Sequence, residues 1–227
     1  MRKVALCSAV YKGCEPEVLR GFMSALFTLG RKTDDQVCPF LAQRKRAELA
    51  SNWCLSNMEQ TEETTGEQFT HVLWVDDDVV VDGDAILRLL DCVDIEHPVV
   101  AALAFERQPN YRPAIWQGNY FGDQYVSMHQ IFDYPADEMI PIVASGLCCV
   151  AFDRDVFDAI RKPYFDWVQP GYDRESCTPD GYLFGQFMDH HIPCFCHTGI
   201  KVGHMAHPQV VDEAFALEHR DAWRPNA

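Results

Sequence analysis

The feature that most constrains the fold is an apolar run that ends in three consecutive aspartates. Residues 69–75 read FTHVLWV, and Asp76, Asp77 and Asp78 follow at once. The run is short, contains β-branched and aromatic residues and is followed by a second apolar stretch, so it predicts a buried strand. Adjacent carboxylates held against a core are unfavourable unless a cation or hydrogen bonds offset them. The stretch therefore predicts both a core strand and a place for ligand chemistry.

Apolar runs and helical patterns alternate along the first half of the chain, and the second half is mixed. Such alternation predicts a parallel sheet covered by helices. The predicted strands are residues 3–10, 69–75, 97–105, 146–152 and 194–204, with a short piece at 124–128. The predicted helices are residues 16–30, 41–60, 84–93, 153–161 with Asp153 as cap, 178–191 beginning with Thr178 and Pro179, and a last one from Gln209. We expect an α/β fold with loops at 61–68 and 162–178, in which ligands bind at the carboxyl ends of strands.

The composition limits the classes of partner. The formal net charge is −15, which disfavours a general nucleic-acid binder. No apolar run reaches the ~18 residues of a membrane span, so no transmembrane segment is expected. The ten cysteines have no repeating spacing, and the N-terminal apolar run is too short for a secretory signal. This pattern favours free thiols in a reducing compartment, and we expect the cytoplasm.

The spacing Asp76-x-Asp78 predicts a metal site. If the chain stays extended after the strand, these two carboxylates lie on the same side of it. Hard oxygen ligands of this kind suit Mg²⁺ or Mn²⁺, which bind one or two carboxylates together with substrate phosphates. The alternative is a solvated acidic turn in which Asp82 and Asp84 cap the next helix.

Five segments spread over residues 3–204 carry further motifs in a fixed order. They are CSAVYKGCEPEVLRGFMSAL, KRAELASNWC, THVLWVDDDVV, SGLCCVAFDRDVFDAI and TPDGYLFGQFMDHHIPCFCHTGIKVGH. Together they resemble the nucleotide loop, the arginine-bearing helix, the DxD strand and the later motifs of GT-A nucleotide-sugar glycosyltransferases, in the broad family 2-like group. The resemblance implies one GT-A-like (Rossmann-like) domain over residues 1–227, with a nucleotide-binding half at about 1–105 and an acceptor-side half at about 106–227.

The resemblance also implies a nucleotide-diphosphate sugar as donor and assigns residues to it. Tyr11 and the backbone of residues 9–13 would hold the base, and Arg46 would face the diphosphate. Asp76 would contact the ribose or the donor sugar, or reach the metal through water. Asp77 would point the other way and support the turn. The donor-binding residues are thus Ala9, Tyr11, Gly13, Arg46, Asp76, Asp77 and Gly146, the last because a glycine lets the backbone approach the sugar closely.

The metal implied by the resemblance is Mn²⁺ or Mg²⁺, held by Asp78 together with Asp76 and His204. An imidazole is a suitable further ligand for Mn²⁺. His207 competes with His204 for this role. The alternative for His204 is a hydrogen-bonded histidine at a strand end.

Asp180 occupies the second position of the family's acidic pair, and Pro179 replaces the first. The resemblance makes Asp180 the general base of an inverting displacement, whereas the alternative is a carboxylate that stabilises the first turn of a helix. Asp166 and Trp167 fall where acceptor-binding loops occur, although Trp167 would equally suit packing under a loop. The acceptor class stays open among glycan, lipid-linked and protein acceptors.

Two other functions compete with a glycosyltransferase. A metal-dependent phosphoryl-transfer enzyme, either a nucleotidyltransferase or a phosphohydrolase, would also use strand-end aspartates. A carbohydrate-binding module could use Trp116, Tyr120 and Trp167, but it leaves the aspartates unexplained. Cys194 and Cys196 share one face of a predicted strand, but their spacing fits no standard zinc finger, so buried thiols are the favoured interpretation.

Overall fold

The computed structural model describes residues 1–10, 16–44, 46–121, 124–167, 178–206 and 209–223, with the backbone alone described at 16–19, 25, 32, 119–121 and 124–126. The strands are β1 (Lys3–Val10), β2 (Gln36–Gln43), β3 (His71–Val75), β4 (Val79–Val80), β5 (Val99–Leu103), β6 (Ile115–Phe121), β7 (Gln124–Gln130), β8 (Met139–Ile142), β9 (Ala144–Ser145), β10 (Cys149–Asp153), β11 (Cys194–Lys201), β12 (Gly203–Ala206) and β13 (Gln209–Val211). The helices are α1 (Pro16–Lys32), α2 (Ala47–Thr65), α3 (Gly83–Asp91), α4 (Val156–Ala159), α5 (Pro179–Asp189) and α6 (Glu213–Glu218), with a 3₁₀ turn at Arg220–Trp223.

A seven-stranded sheet, counted over the described residues, forms the centre of the molecule in the order β2-β1-β3-β10-β5-β11-β8. Strands β2, β1 and β3 are parallel, and β5 and β11 are parallel. Strand β10 runs antiparallel to both β3 and β5, and β8 runs antiparallel to β11. Five of the seven strands therefore point the same way, which confirms the predicted α/β fold with a mostly parallel sheet.

Alternation along the central strands divides the core into two layers. In β3, Val72 and Trp74 face the layer that holds α2 and α5, whereas Leu73 and Val75 face the layer that holds α1 and α3. This period-two pattern is what a strand buried on both faces requires. Among the described residues, no helix combines the length and the apolar character needed to cross a bilayer.

Two small sheets lie beyond the carboxyl ends of the parallel strands. In one, β4 pairs with β12 so that Val79 lies opposite His204. In the other, β6 pairs with β9, with Trp116 opposite Ala144. These pairings bring segments that are distant in sequence to the edge of the sheet where β3 ends.

The predicted helix at residues 41–60 is wrong at its start. Leu41 and Ala42 belong to β2, which pairs in register with β1 from Lys3 to Val10. Pairing with a partner more than thirty residues away outweighs the local helical pattern, and Pro39 is tolerated because β2 lies at the sheet edge. Helix α2 instead continues through the predicted loop to Thr65 and ends at Gly66, whose φ is 69°.

Three smaller predictions also need correction. The helix predicted at 153–161 is the single turn α4, with Asp155 at its N-cap, while Asp153 accepts a hydrogen bond of 2.9 Å from the Asp155 N–H. The strand predicted at 194–204 is divided between β11 and β12. The tail from Gln209 begins as strand β13, because it pairs with β12, and becomes helical only at Glu213.

Candidate functional site

A cavity of about 1050 Å³ opens at the carboxyl ends of β1, β3 and β5. The sequence-predicted residues that line it are Ala9, Arg46, Asp76, Asp77, Asp78, Gly146, Trp167, Asp180 and His204. Asp166 is outside the lining, and its carboxylate accepts a hydrogen bond of 2.7 Å from the Trp167 N–H. Tyr11, Gly13 and His207 lie outside the described residues.

Asp77 and Asp78 lie in a turn directly after β3, so the condition that the chain stays extended there is not met. The Asp76 N–H donates to the Cys148 carbonyl at 3.0 Å, and the Val79 N–H donates to the Asp76 carbonyl at 3.3 Å. The chain turns because β4 follows directly and pairs with β12. As a result Asp77 lines the cavity together with Asp76 and Asp78.

The carboxylate of Asp76 is held at the base of the cavity. The indole N–H of Trp74 donates to its Oδ1 at 2.8 Å. Burial, followed by the charges of Asp180 and Asp78, raises the pKa of Asp76 to about 7. The charges of Asp180 and Asp78 thus lie close enough to disfavour the ionised form of Asp76.

Asp78 and His204 form an ion pair beside Asp76. The Nε2 atom of His204 lies 3.2 Å from Asp78 Oδ1, and its Nδ1 atom donates to the Phe105 carbonyl at 2.9 Å. Burial alone would lower the pKa of His204, but the Cys148 sulphur and the hydrogen bond to Asp78 raise it to about 11. Burial would raise the pKa of Asp78, yet His204 and Arg107 hold it below its ordinary value.

Asp180 reaches the same cavity from the first turn of α5. The helix begins as the sequence predicts, with Thr178 accepting a hydrogen bond from the Gly181 N–H at 3.2 Å and Pro179 in the first turn. Asp180 itself accepts a hydrogen bond from the Leu147 N–H at 3.4 Å, and burial raises its pKa. Because Thr178 supplies the side-chain cap, the carboxylate of Asp180 is directed to another segment of the chain.

At the rim of the cavity, beside the start of α2, Glu48 contacts two of the predicted residues, Trp167 and Arg46. The buried carboxylate of Glu48 accepts a hydrogen bond of 2.8 Å from the indole N–H of Trp167. It also forms an ion pair with Arg46, whose side chain is 58% exposed. Glu48 therefore fixes the edge of Trp167 and keeps Arg46 at the mouth of the cavity.

Gly146 forms part of the cavity wall. A Cβ atom added there would lie 3.3 Å from the Cys148 sulphur and 3.6 Å from the Ala114 Cβ. The contact is tight but does not involve backbone, so a small side chain would be accommodated at the expense of cavity space.

Sequence reasoning missed Arg107, Glu48 and Cys148. Arg107 follows β5 and its guanidinium pairs with Asp78. A usable signal existed, since 97–105 is an apolar run that ends in the charged pair Glu106-Arg107, as 69–75 ends in aspartates. The rule that ligands bind at carboxyl ends of strands applies to both runs.

The donor set suits a divalent cation held partly by substrate. Among the described residues, no group of three or more His, Cys, Asp or Glu side chains is arranged to hold a metal ion. Mg²⁺ and Mn²⁺ commonly take only one or two protein ligands and complete their shell with phosphate and water. Asp78 and His204 would supply two such ligands only after His204 Nε2 gives up the proton that it directs toward Asp78, whereas the Nδ1–H bond to the Phe105 carbonyl already fixes the ring. The other carboxylates that line the cavity add negative charge, which favours a cation there.

Comparisons with known proteins support the fold. No protein-family model and no curated protein sequence matches the chain. A search of solved structures finds A197 from STIV with a TM-score of 0.55 and 14% identity, covering 90% of this chain and 86% of that one.

Two further solved structures are similar at lower scores. 4-Diphosphocytidyl-2C-methyl-D-erythritol synthase from Anaerococcus prevotii has a TM-score of 0.47 at 14% identity, covering 97% of this chain and 95% of that one. A glycosyltransferase involved in the glycosylation of the major capsid of PBCV-1 has a TM-score of 0.38 at 12% identity, covering 86% of this chain and 92% of that one. At these identities the similarity to A197 shows a shared fold alone, and the two lower scores carry no argument about function.

Proposed function

We propose that this protein is a metal-dependent glycosyltransferase that moves a sugar from a nucleotide-diphosphate sugar to an acceptor hydroxyl with inversion. The observation that carries the proposal is the convergence of Asp76, Asp78 and Asp180 in one large cavity at the carboxyl ends of parallel strands. Carboxylates that raise one another's pKa cluster at functional sites, because their repulsion must be offset by a ligand. We further propose that the whole chain acts as one GT-A-like domain, with donor chemistry in residues 1–105 and the acceptor side in 106–227.

On the donor side, Asp78 and His204 would hold Mn²⁺ or Mg²⁺. The bound cation would supply neutralisation of the negative charge on the departing nucleoside diphosphate. Arg46 lies at the mouth of the same cavity with its guanidinium exposed, which suits contact with a phosphate. Asp76, fixed by Trp74, would accept hydrogen bonds from hydroxyls of the ribose or the donor sugar.

The wall beside these residues completes the proposed donor site. Gly146 would let the donor sugar lie against the backbone, and Asp77 also lines the cavity. The backbone at Ala9, at the end of β1, would face the base. The roles of Tyr11 and Gly13 continue to rest on the sequence resemblance.

On the acceptor side, Asp180 would act as the general base. The acceptor oxygen forms a bond to the anomeric carbon, the bond from that carbon to the diphosphate oxygen breaks, and the acceptor proton passes to the Asp180 carboxylate. A raised pKa suits this role, because a base is most effective when its pKa lies close to the working pH. The displacement occurs once, so the anomeric configuration inverts.

Two tryptophans on the cavity wall would orient the acceptor. Trp116 and Trp167 both line it, and indole rings present flat apolar faces of the kind that pack against sugars. Asp166 would support Trp167 by accepting the hydrogen bond from the backbone N–H of Trp167. We propose a glycan, lipid-linked or protein acceptor, rather than a nucleic acid, because the formal net charge is −15.

The cytoplasm is the proposed compartment. The described cysteines Cys7, Cys38, Cys54, Cys92, Cys148, Cys149, Cys194 and Cys196 are free thiols. Burial raises the pKa of both Cys194 and Cys196, which suits inert thiols in the core.

A panel of nucleotide sugars, tested for thermal stabilisation with and without Mn²⁺, examines the proposal. We expect stabilisation by at least one nucleotide sugar that depends on Mn²⁺ and is lost in Asp78→Ala. Asp77→Ala is the matched control, and it should lose the least of the three aspartate variants. Unchanged affinity in Asp78→Ala would show that the metal assignment is wrong.

The same panel separates the second candidate function. Phosphoryl-transfer enzymes also place several carboxylates at strand ends around divalent cations. Stabilisation by nucleoside triphosphates alone, with no response to any nucleotide sugar, would favour a nucleotidyltransferase or phosphohydrolase over a glycosyltransferase.

A further inference from the structure

Both oxygens of the Asp78 carboxylate already have cationic partners. Oδ1 lies 3.2 Å from His204 Nε2, and Oδ2 pairs with the guanidinium of Arg107. The Asp78 side chain is 22% exposed, whereas that of Arg107 is 53% exposed. Arg107 and His204 both line the cavity, so a divalent cation that bound Asp78 there would have to displace one of these two contacts, and the exposed arginine is the more easily moved.

The backbone that carries Arg107 is fixed, although its side chain is exposed. The Glu106 N–H donates to the Arg112 carbonyl at 2.8 Å, and the Tyr111 N–H donates to the Gln108 carbonyl at 3.0 Å. The Glu106 carboxylate also accepts a hydrogen bond of 2.8 Å from Gln130. If Arg107 left Asp78, only its side chain would rotate, while the backbone of the loop after β5 stayed in place.

The acidic character of the cavity makes the guanidinium of Arg107 a candidate contact for a phosphate. Among the described residues that line the cavity, six are acidic and two are arginines, Arg46 and Arg107. A diphosphate entering this space needs every cation within reach. Arginine binds phosphate oxygens through two parallel N–H bonds, as it binds carboxylates.

We infer that Arg107 and the divalent cation compete for the Asp78 carboxylate, so that cation binding releases Arg107 to the diphosphate of the donor. The inference rests on the proposed function, because it requires the metal site and the nucleotide donor. In the ligand-free protein Arg107 shields Asp78 from the charge of its neighbours. In the loaded protein the same side chain contacts the donor, which makes Arg107 a donor-binding residue that sequence motifs do not mark.

The competition predicts opposite changes in two affinities measured on one variant. Arg107→Ala should bind Mn²⁺ alone about 2- to 5-fold more tightly than the unmodified protein, because an exposed ion pair no longer competes. With saturating Mn²⁺, the same variant should bind UDP about 10-fold more weakly, because a charge-assisted hydrogen bond to phosphate is lost. Isothermal titration calorimetry measures both affinities. The UDP affinity of Arg107→Lys should lie between that of the unmodified protein and that of Arg107→Ala.

Arg220→Ala is the matched control. Arg220 is also 53% exposed and also pairs with an aspartate, Asp133, at a second cavity. Its removal should leave both affinities unchanged, so any change common to the two variants would reflect net charge alone.

The outcomes separate the inference from the proposed function. Equal Mn²⁺ affinity in Arg107→Ala and the unmodified protein would overturn the competition, and equal UDP affinity would overturn the donor contact. If the unmodified protein binds neither Mn²⁺ nor any nucleoside diphosphate while circular dichroism shows an intact fold, the proposed function fails and the inference fails with it.

Discussion

The two ends of strand β3 handle buried charge in different ways. Beyond its amino end, Arg154 donates to Glu62 through three contacts of 2.7–3.1 Å and to Asp158 at 2.8 Å. The Arg154 N–H donates to the Thr70 carbonyl, which places this network beside the first residues of β3. At the carboxyl end, Asp78 pairs with His204 and Arg107, whereas Asp76 and Asp180 share the same cavity with raised pKa values.

The difference separates charges that are paired within the fold from charges that the proposed function assigns to a ligand. At the amino end the carboxylates hold the pKa of Arg154 above its ordinary value despite burial, and the side chain is only 6% exposed. At the carboxyl end the pKa of Asp76 is raised, so the ionised form is disfavoured in the folded chain. Substitutions at the amino end should therefore weaken folding, and substitutions at the carboxyl end should weaken function without weakening the fold.

The largest expected effect is on turnover in Asp180→Asn. Loss of the proposed general base should lower the transfer rate by about 10²–10⁴-fold while donor binding persists. Single-turnover kinetics with the donor found by the nucleotide-sugar panel would measure the rate, and calorimetry would measure the donor affinity. A nearly active variant would remove Asp180 from the role of base, whereas a variant that fails to fold would break the distinction between the two ends.

Arg154→Met should produce the largest loss of stability. The variant removes the guanidinium from the Glu62 carboxylate, whose side chain is 11% exposed and which keeps the hydrogen bond from the Phe69 N–H, so we expect a cost of about 3 kcal/mol, at the lower end for a broken buried ion pair. Urea denaturation measures the free energy of unfolding, and the affinity for the donor should stay unchanged.

Asp158→Asn is the matched control for that variant. Its side chain is 58% exposed, so its pairing with Arg154 should contribute less than about 1 kcal/mol. A loss as large as that of Arg154→Met would mean that the whole network, rather than the buried Glu62 charge, sets the effect.

The central strands and most helices were predictable because their patterns are local. Val72 to Val75 are buried on both faces, and the run alone indicates that. Thr178 and Pro179 mark the start of α5 for equally local reasons, a side-chain cap and a proline that suits the first turn. Strand β2 was not predicted because most of its residues are half-buried or exposed, so its local pattern is weak. It forms because it pairs with β1, more than thirty residues away in the sequence.

The sequence predicted which residues line the candidate site better than it predicted which of them contact one another. The resemblance, together with the rule about strand ends, placed Asp76, Asp78, Asp180 and His204 together, and all four line one cavity. Arg107 was missed because β5, which precedes it, is separated from β3 by β10 in the sheet. The charged pair after the apolar run at 97–105 marks a strand end in the sequence, but the order of strands is needed to show that this end and the end of β3 face the same cavity.

Asp76→Asn should raise stability and thereby sharpen the comparison. The amide keeps the shape of the side chain and can still accept the hydrogen bond from Trp74, but it removes one of the mutually repelling charges. We expect the melting temperature of the ligand-free protein to rise by about 2–4 °C at neutral pH, which corresponds to about 1 kcal/mol. Differential scanning calorimetry measures the change.

Glu62→Gln is the control with the opposite sign, because it removes a charge that Arg154 needs. A fall in melting temperature should follow. If both variants lost stability, the carboxyl-end charges would be structural, and the distinction drawn between the ends of β3 would be wrong.

The smallest expected effect is the pH dependence of another ion pair at the amino ends of the strands. Asp35 accepts hydrogen bonds from the backbone N–H and the guanidinium of Arg2, just before β1 and β2 begin. Burial would raise the pKa of Asp35, but the bonds from Arg2 outweigh it and the pKa lies below the ordinary value of 3.8. A lowered pKa in the folded chain means that the stabilisation is present above pH 3.8 and is lost as the pH falls through the lowered value.

Asp35→Asn should therefore lose about 1 kcal/mol of unfolding free energy at pH 7. The difference from the unmodified protein should hold above pH 3.8 and shrink as the pH falls below that value through the lowered pKa of Asp35, because protonation of the carboxyl then removes from the unmodified protein the same charge that the variant lacks. Urea denaturation at a series of pH values measures the difference. A gap that stayed constant with pH would mean that the shape of the side chain, and not its charge, stabilises the amino end.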